Sequence, residues 1–153
     1  ATGYYFGNCT DFVIWRVNRD DGVLHEPWKH VNHSTTPSGG NGYQWGLPTA
    51  LPGWVKTDKP STGDIISFQP GSQGGRWHAQ FGHVAYIGQV SANGSITVEN
   101  YGTNEYFVTN YTASELSQLV STGQAIIKHN PHSKVKIKKI GDSSIVDPGS
   151  GGY

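Results

Sequence analysis

The chain has 153 residues, with 11 lysines and arginines against 11 aspartates and glutamates. That length suits one domain with its own core, and the charge balance excludes the one-signed field of a nucleic-acid or anionic-membrane binder. Hydrophobic residues make up 35% and aromatics 12%, with 21 glycines, the profile of a loop-rich, strand-rich protein with aromatic surface to spare. A single cysteine excludes an internal disulfide, and no apolar run has membrane-spanning length or a signal-peptide pattern, so any export signal is expected outside this sequence.

Residues 4–19, YYFGNCTDFVIWRVNR, predict a short amphipathic helix. Asn8 is a good N-cap, Asp11 falls in the first turn, and Phe12, Val13, Trp15 and Val17 supply the apolar side. Cys9 therefore sits at a helix start, where backbone N–H groups and the helix dipole favour a thiolate. The bland alternative is a buried, inert cysteine. Residues 20–53 are a Gly- and Pro-rich connection anchored by Trp28, Trp45 and Trp54, with helical turns predicted at most over 24–31 and 45–51. His25, His30 and His33 lie here, but their spacing matches no usual zinc-ligand pair, and they read as solvated loop histidines.

From residue 60 the pattern turns to strands. Ile65, Ile66 and Phe68 form a short apolar run after Gly63-Asp64, and a second flexible segment holding Trp77 follows. Residues 83–90 and 96–101 alternate as strands around Asn93-Gly94, an antiparallel hairpin. Residues 106–111 predict another strand, Thr112 to Glu115 a capping box opening a helix closed by Gly123, and 125–129 and 134–140 two more strands. In the last of these, alternating lysines mark an edge strand. Residues 1–140 form the expected domain, and 141–153, ending PGSGGY, read as a tail or linker to a longer protein.

A cysteine nucleophile needs a base and a residue that orients the base. His83 follows Gly82 at a strand start, and Asn100 lies on the next strand, on the same face as Ile96 and Val98. If that face meets the nucleophile helix, Asn100 points into the site, while Glu99 points away and tolerates substitution. A plain two-residue turn at Asn93-Gly94 would instead set His83 opposite Asn104 and Asn100 opposite Ile87, so the register leaves two readings. Either a longer or bulged loop brings Asn100 to His83, or Asn104 is the orienter.

GNCTDFVIWRVN, PSTGDIISF and GHVAYIGQVSANGSITVEN, in this order, resemble the motifs of CHAP domains, the cysteine, histidine-dependent amidohydrolases and peptidases. The resemblance implies a papain-like α+β fold, with the nucleophile helix packed on an antiparallel sheet. It implies Cys9 as nucleophile, His83 as base and Asn100 as the third polar residue, where a carboxylate should also serve better than alanine. It implies hydrolysis of an amide bond of bacterial peptidoglycan, in the stem peptide or cross-bridge, by a monomeric module acting in the cell wall after secretion or host lysis. The oxyanion is expected to meet the Cys9 backbone N–H, with the Tyr4 hydroxyl as a second donor. Many relatives carry an acidic calcium loop before the cysteine. Here Ala1 and Thr2 supply no carboxylates, so no metal and no cofactor are expected, and Gly102 stands where many relatives have asparagine. Two other readings remain: a wall-binding module whose Trp28, Trp45, Trp54 and Trp77 line a groove without chemistry, and an amidohydrolase acting on a non-wall amide.

Overall fold

The computed structural model describes residues 1–133 and 135. The 12-residue helix α1, Cys9–Asp20, begins after an extended Asn8, although the Asn8 side chain makes no capping hydrogen bond. Its Phe12, Val13, Ile14 and Val17 are buried, each contributing about 1.5–3 kcal/mol by leaving water. Asn18, buried in the last turn, is fully engaged: its Nδ2 donates to Ile14 O (3.0 Å) and His30 O (2.9 Å), and its Oδ1 accepts from His30 N (2.9 Å). This clamp holds residues 24–31 as bends rather than the predicted helical turn, and the turn α2 forms just after them at Asn32–Thr35. His30 pairs with Asp21 at 2.5 Å, and His25 Nδ1 meets Glu26 O at 3.0 Å.

The second predicted turn is displaced the other way, starting earlier than expected as a 3₁₀ turn at Gly42–Gly46. A capping box fixes its start, with Asn41 N donating to Gln44 Oε1 at 2.8 Å, and Trp45 plugs the core. The following loop is pulled onto the sheet by Lys128, whose ammonium donates to Leu47 O (2.7 Å) and Ala50 O (3.1 Å).

Six antiparallel strands form one sheet in the order β1-β6-β2-β3-β4-β5: β1 is Val55–Thr57, β2 Ile65–Phe68, β3 His83–Val90, β4 Ile96–Gly102, β5 Glu105–Tyr111 and β6 Ala125–His129. Between them lie the irregular turn α3, Ser72–Gly75, and the helix α4, Ala113–Ser121. Thr112 and Glu115 form the predicted capping box of α4. The edge strand β1 is three largely exposed residues pairing with β6 and carries no apolar alternation, so the sequence pattern missed it. The expected strand over 134–140 and tail over 141–153 lie outside the described residues.

Strand parity divides the sheet between two cores. Ile65, Val84 and Tyr86 face α1, whereas Ile66, Phe68, Ala85, Ile87 and Val98 face Leu116 and Leu119 of α4. β2 is buried on both faces, which explains its largely apolar run, and its one polar side chain, Ser67, donates to Gly42 O at 2.7 Å. The architecture is α+β and papain-like. One expectation is reversed: Ile96, Val98 and Asn100 share a face, but it is the face of α4, while α1 covers the other. Glu99 consequently points under α1 and is buried, its Oε1 accepting from Arg16 Nη2 at 3.0 Å and from the Tyr106 hydroxyl at 3.2 Å.

The hairpin register takes the bulged route. Tyr86 pairs with Glu99 and Ile87 with Val98, then the ladder shifts so that Gln89 meets Thr97 and Val90 meets Ile96. The skipped residue is Gly88, where a Cβ would stand 2.3 Å from Glu99 Oε2. A longer turn closes through Ser91 N to Ser95 O at 2.8 Å.

Candidate active site

The start of β3 is set by Gly82, whose φ of +61° suits glycine and whose absent side chain lets the chain pass against Phe68 O. The next residue, His83, is 6% exposed, and the bulge at Gly88 brings it to Asn100. His83 Nε2 and Asn100 Oδ1 lie 2.9 Å apart. Asn100 is fully buried, and its Nδ2 faces three acceptors: Val98 O at 3.2 Å, Phe107 O at 3.3 Å and Thr109 Oγ1 at 3.1 Å. With the amide nitrogen so engaged, Oδ1 is the atom turned to the imidazole, and Nε2 must carry the proton. The lone pair of Nδ1 is thereby left for another partner. Asn104 instead forms the β4–β5 turn, with φ of +59° beside Thr103 at +53°.

Aromatic rings box the imidazole. The Trp77 indole stacks on it face to face, centroids 4.0 Å apart and planes within 2°, with Phe68 at 6.0 Å and Phe107 at 6.4 Å. Gln73 holds that indole by accepting from Trp77 Nε1 at 2.8 Å and from the Tyr111 hydroxyl at 2.8 Å. Burial pushes His83 down to about 4; the Asn100 hydrogen bond opposes this, and the Arg76 charge adds to it.

Cys9, half-buried at the first position of α1, lines the same cleft of about 700 Å³ as His83 and Trp77. The backbone amides of Cys9, Thr10 and Val84 favour its thiolate, as a helix start should, but burial is the larger effect and pushes the thiol up. Taken singly, both groups are thus held toward their neutral forms, and a proton passing from one to the other leaves the cleft's net charge unchanged.

Tyr4 borders the cleft and packs on Trp45 at 5.5 Å. The Tyr4 hydroxyl lies 2.6 Å from Thr36 Oγ1, a pair in which either oxygen can donate, and Thr36 Oγ1 also lies within reach of Asn32 O and Oδ1 at 3.2 and 3.1 Å. Asn8, also on the cleft, is not used as a cap. Asp11 is buried, accepting from Thr2 Oγ1 at 3.1 Å. Sequence reasoning missed Thr109, Gln73 and the imidazole-stacking place of Trp77. Thr109 could have been reached through β5 parity once the register was known, whereas Trp77 and Gln73 come from an irregular segment without a periodic signal.

The CHAP domain family model matches residues 1–102. Staphylococcal secretory antigen SsaA of Staphylococcus epidermidis is 32% identical over 113 residues, 72% of this chain and 35% of that protein. Staphylococcal secretory antigen ssaA2 of Staphylococcus aureus is 31% identical over 113 residues, 72% of this chain and 34% of that protein. The chain thus spans about a third of the length of these relatives. The crystal structure of N-acetylmuramoyl-L-alanine amidase from Staphylococcus aureus is similar in fold, with a TM-score of 0.57 at 17% identity over 80% of this chain and 31% of that one. Since the family model matches residues 1–102, about two thirds of the chain, the chain belongs to the CHAP domain family.

Proposed function

We propose that this chain is a peptidoglycan hydrolase that cleaves an amide bond of the bacterial wall through the Cys9 thiolate. The observation that carries the reading is the 2.9 Å bond between His83 Nε2 and Asn100 Oδ1 in a cleft shared with Cys9. That bond leaves Nδ1 able to take the thiol proton. Cys9 Sγ then attacks the scissile carbonyl, and the C–N bond breaks as His83 returns the proton to the leaving amine. His83 next draws a proton from water, whose oxygen attacks the thioester and releases the carboxylic acid and the thiol. Negative charge on the carbonyl oxygen is met by the Cys9 backbone N–H and by the Asn8 amide, which borders the cleft and makes no capping bond.

The CHAP family and the amidase neighbour support a wall substrate, and the relatives named secretory antigens support action outside the cell. The chain acts as one module of a longer protein. The test is Cys9→Ser, assayed on purified cell walls with circular dichroism as a check on folding. Loss of lysis in a folded variant is expected, and retained lysis overturns the mechanism. Mass spectrometry of the released fragments separates the two bond classes: a freed lactyl group marks an amidase, and a new peptide amine an endopeptidase.

A further inference from the structure

Several charges of the described residues are paired inside the fold: Arg16 with Glu99, Arg19 with Asp20, and Asp64 with His129. Arg76 differs. It is exposed at the end of α3 and has no carboxylate within ion-pair distance among the described residues. Of the described residues lining the cleft, it is the only lysine or arginine, and none is an aspartate or glutamate. Its guanidinium lies over the Trp77 indole, 5.1 Å from the centroid, and the same indole stacks on the His83 imidazole at 4.0 Å. Resting on an indole face holds the guanidinium near the imidazole while leaving its edge N–H groups free, the geometry suited to a planar carboxylate.

We propose that Arg76 is the specificity residue of this cleft and selects peptide amides that carry a free carboxylate beside the scissile bond. The inference rests on the hydrolase reading and narrows its substrate class from wall amides in general to those with an unamidated acid at that place. It also couples recognition to chemistry. The uncompensated Arg76 charge disfavours the imidazolium that the reaction must form, and a substrate carboxylate seated on Arg76 cancels that charge as it binds. An amidated substrate would bind without doing so.

The experiment uses two soluble stem-peptide fragments identical except that the acid adjoining the scissile amide is free in one and a carboxamide in the other. Wild type is expected to favour the free acid about tenfold in kcat/KM, Arg76→Gln to bring the ratio within about twofold through both KM and kcat, and Arg76→Glu to reverse it. Arg76→Lys should keep part of the preference, as a charge without the fork. The same pair is titrated onto Cys9→Ala by tryptophan fluorescence, where the affinity ratio should be present and should vanish when Arg76→Gln is added. A wild-type ratio near one, a ratio indifferent to Arg76→Gln, or undetectable binding of both fragments overturns the proposal. Absence of hydrolysis by wild type, on fragments and walls alike, instead overturns the hydrolase reading, and the binding ratio then judges Arg76 independently.

Discussion

The Trp77 indole covers one face of the His83 imidazole at 4.0 Å with the ring planes parallel to within 2°. It fixes the ring plane and contributes to the burial that keeps the imidazole neutral. Trp77→Phe retains an aromatic surface but loses the bond from Nε1 to Gln73. Turnover should fall about tenfold with KM little changed, as expected of a positioning residue. The readout that mere loosening of the fold would not give is the His83 ring NMR titration, which should move up toward its ordinary value as the covering thins. An unmoved titration would mean that the indole is only core.

Asn100 holds the opposite end of the same ring. Asn100→Ala should reduce kcat by one to several powers of ten, on the scale of a lost triad orienter, with KM near normal. Asn104→Ala should be close to wild type in kcat, since that residue belongs to the β4–β5 turn. The carboxylate variant is where the structure changes the expectation. Two of the three acceptors around Asn100 Nδ2 are main-chain carbonyls, so Asn100→Asp would set a buried charge against them. It should melt below Asn100→Ala at neutral pH. A more stable Asn100→Asp would show that the carbonyls can turn away.

Glu99, one residue earlier, belongs to the other face and to stability. Its pair with Arg16 is buried, with side-chain exposures of 4% and 0%. Glu99→Ala therefore ceases to be a mild surface change and should cost about 3–5 kcal/mol by leaving a buried charge without its counterion. Urea unfolding measures the loss. Arg16→Met combined with Glu99→Leu should recover much of it, because removing both charges avoids the desolvation penalty. A double variant no better than the single one would show that Arg16 contributes through contacts other than this pair.

Local chemistry made much of this molecule legible before any coordinates. The Asn8 start of α1, the Thr112–Glu115 box and the strands predicted at 83–90, 96–101, 106–111 and 125–129 each follow from short-range rules, and each is found within a residue of its predicted place. Two things were hidden, both depending on distant residues. The sheet face that receives α1 is decided by which of two apolar faces the helix covers, and β2 and β3 are apolar on both, so parity grouped Asn100 with Val98 correctly but could not say what covered them. The register turned on the bulge at Gly88, whose cause, the Glu99 carboxylate in the space a Cβ would need, appears only once the strands are paired. Of the candidate site, Cys9, His83 and Asn100 were readable as residue types on strands and a helix start, while the aromatic box required the fold.

Burial of His83 also predicts how stability responds to acid. Its pKa in the folded state is about 4, against 6.5 when free, so between those values the unfolded chain binds a proton that the folded chain does not. Stability must then rise with pH across this window, be fully present above about 6.5, and be lost as pH falls toward 4. Each pKa unit corresponds to about 1.4 kcal/mol, which makes the His83 share on the order of 3 kcal/mol. The chain has 7 histidines, so the measurement is a difference: urea unfolding of wild type and His83→Gln at intervals from pH 4 to 7. The gap between the two curves should change by a few kcal/mol in favour of wild type as pH rises, and level off near 6.5. Parallel curves would mean that the folded protein accepts the imidazolium freely, as it would if the Cys9 thiolate already faced it in the resting enzyme.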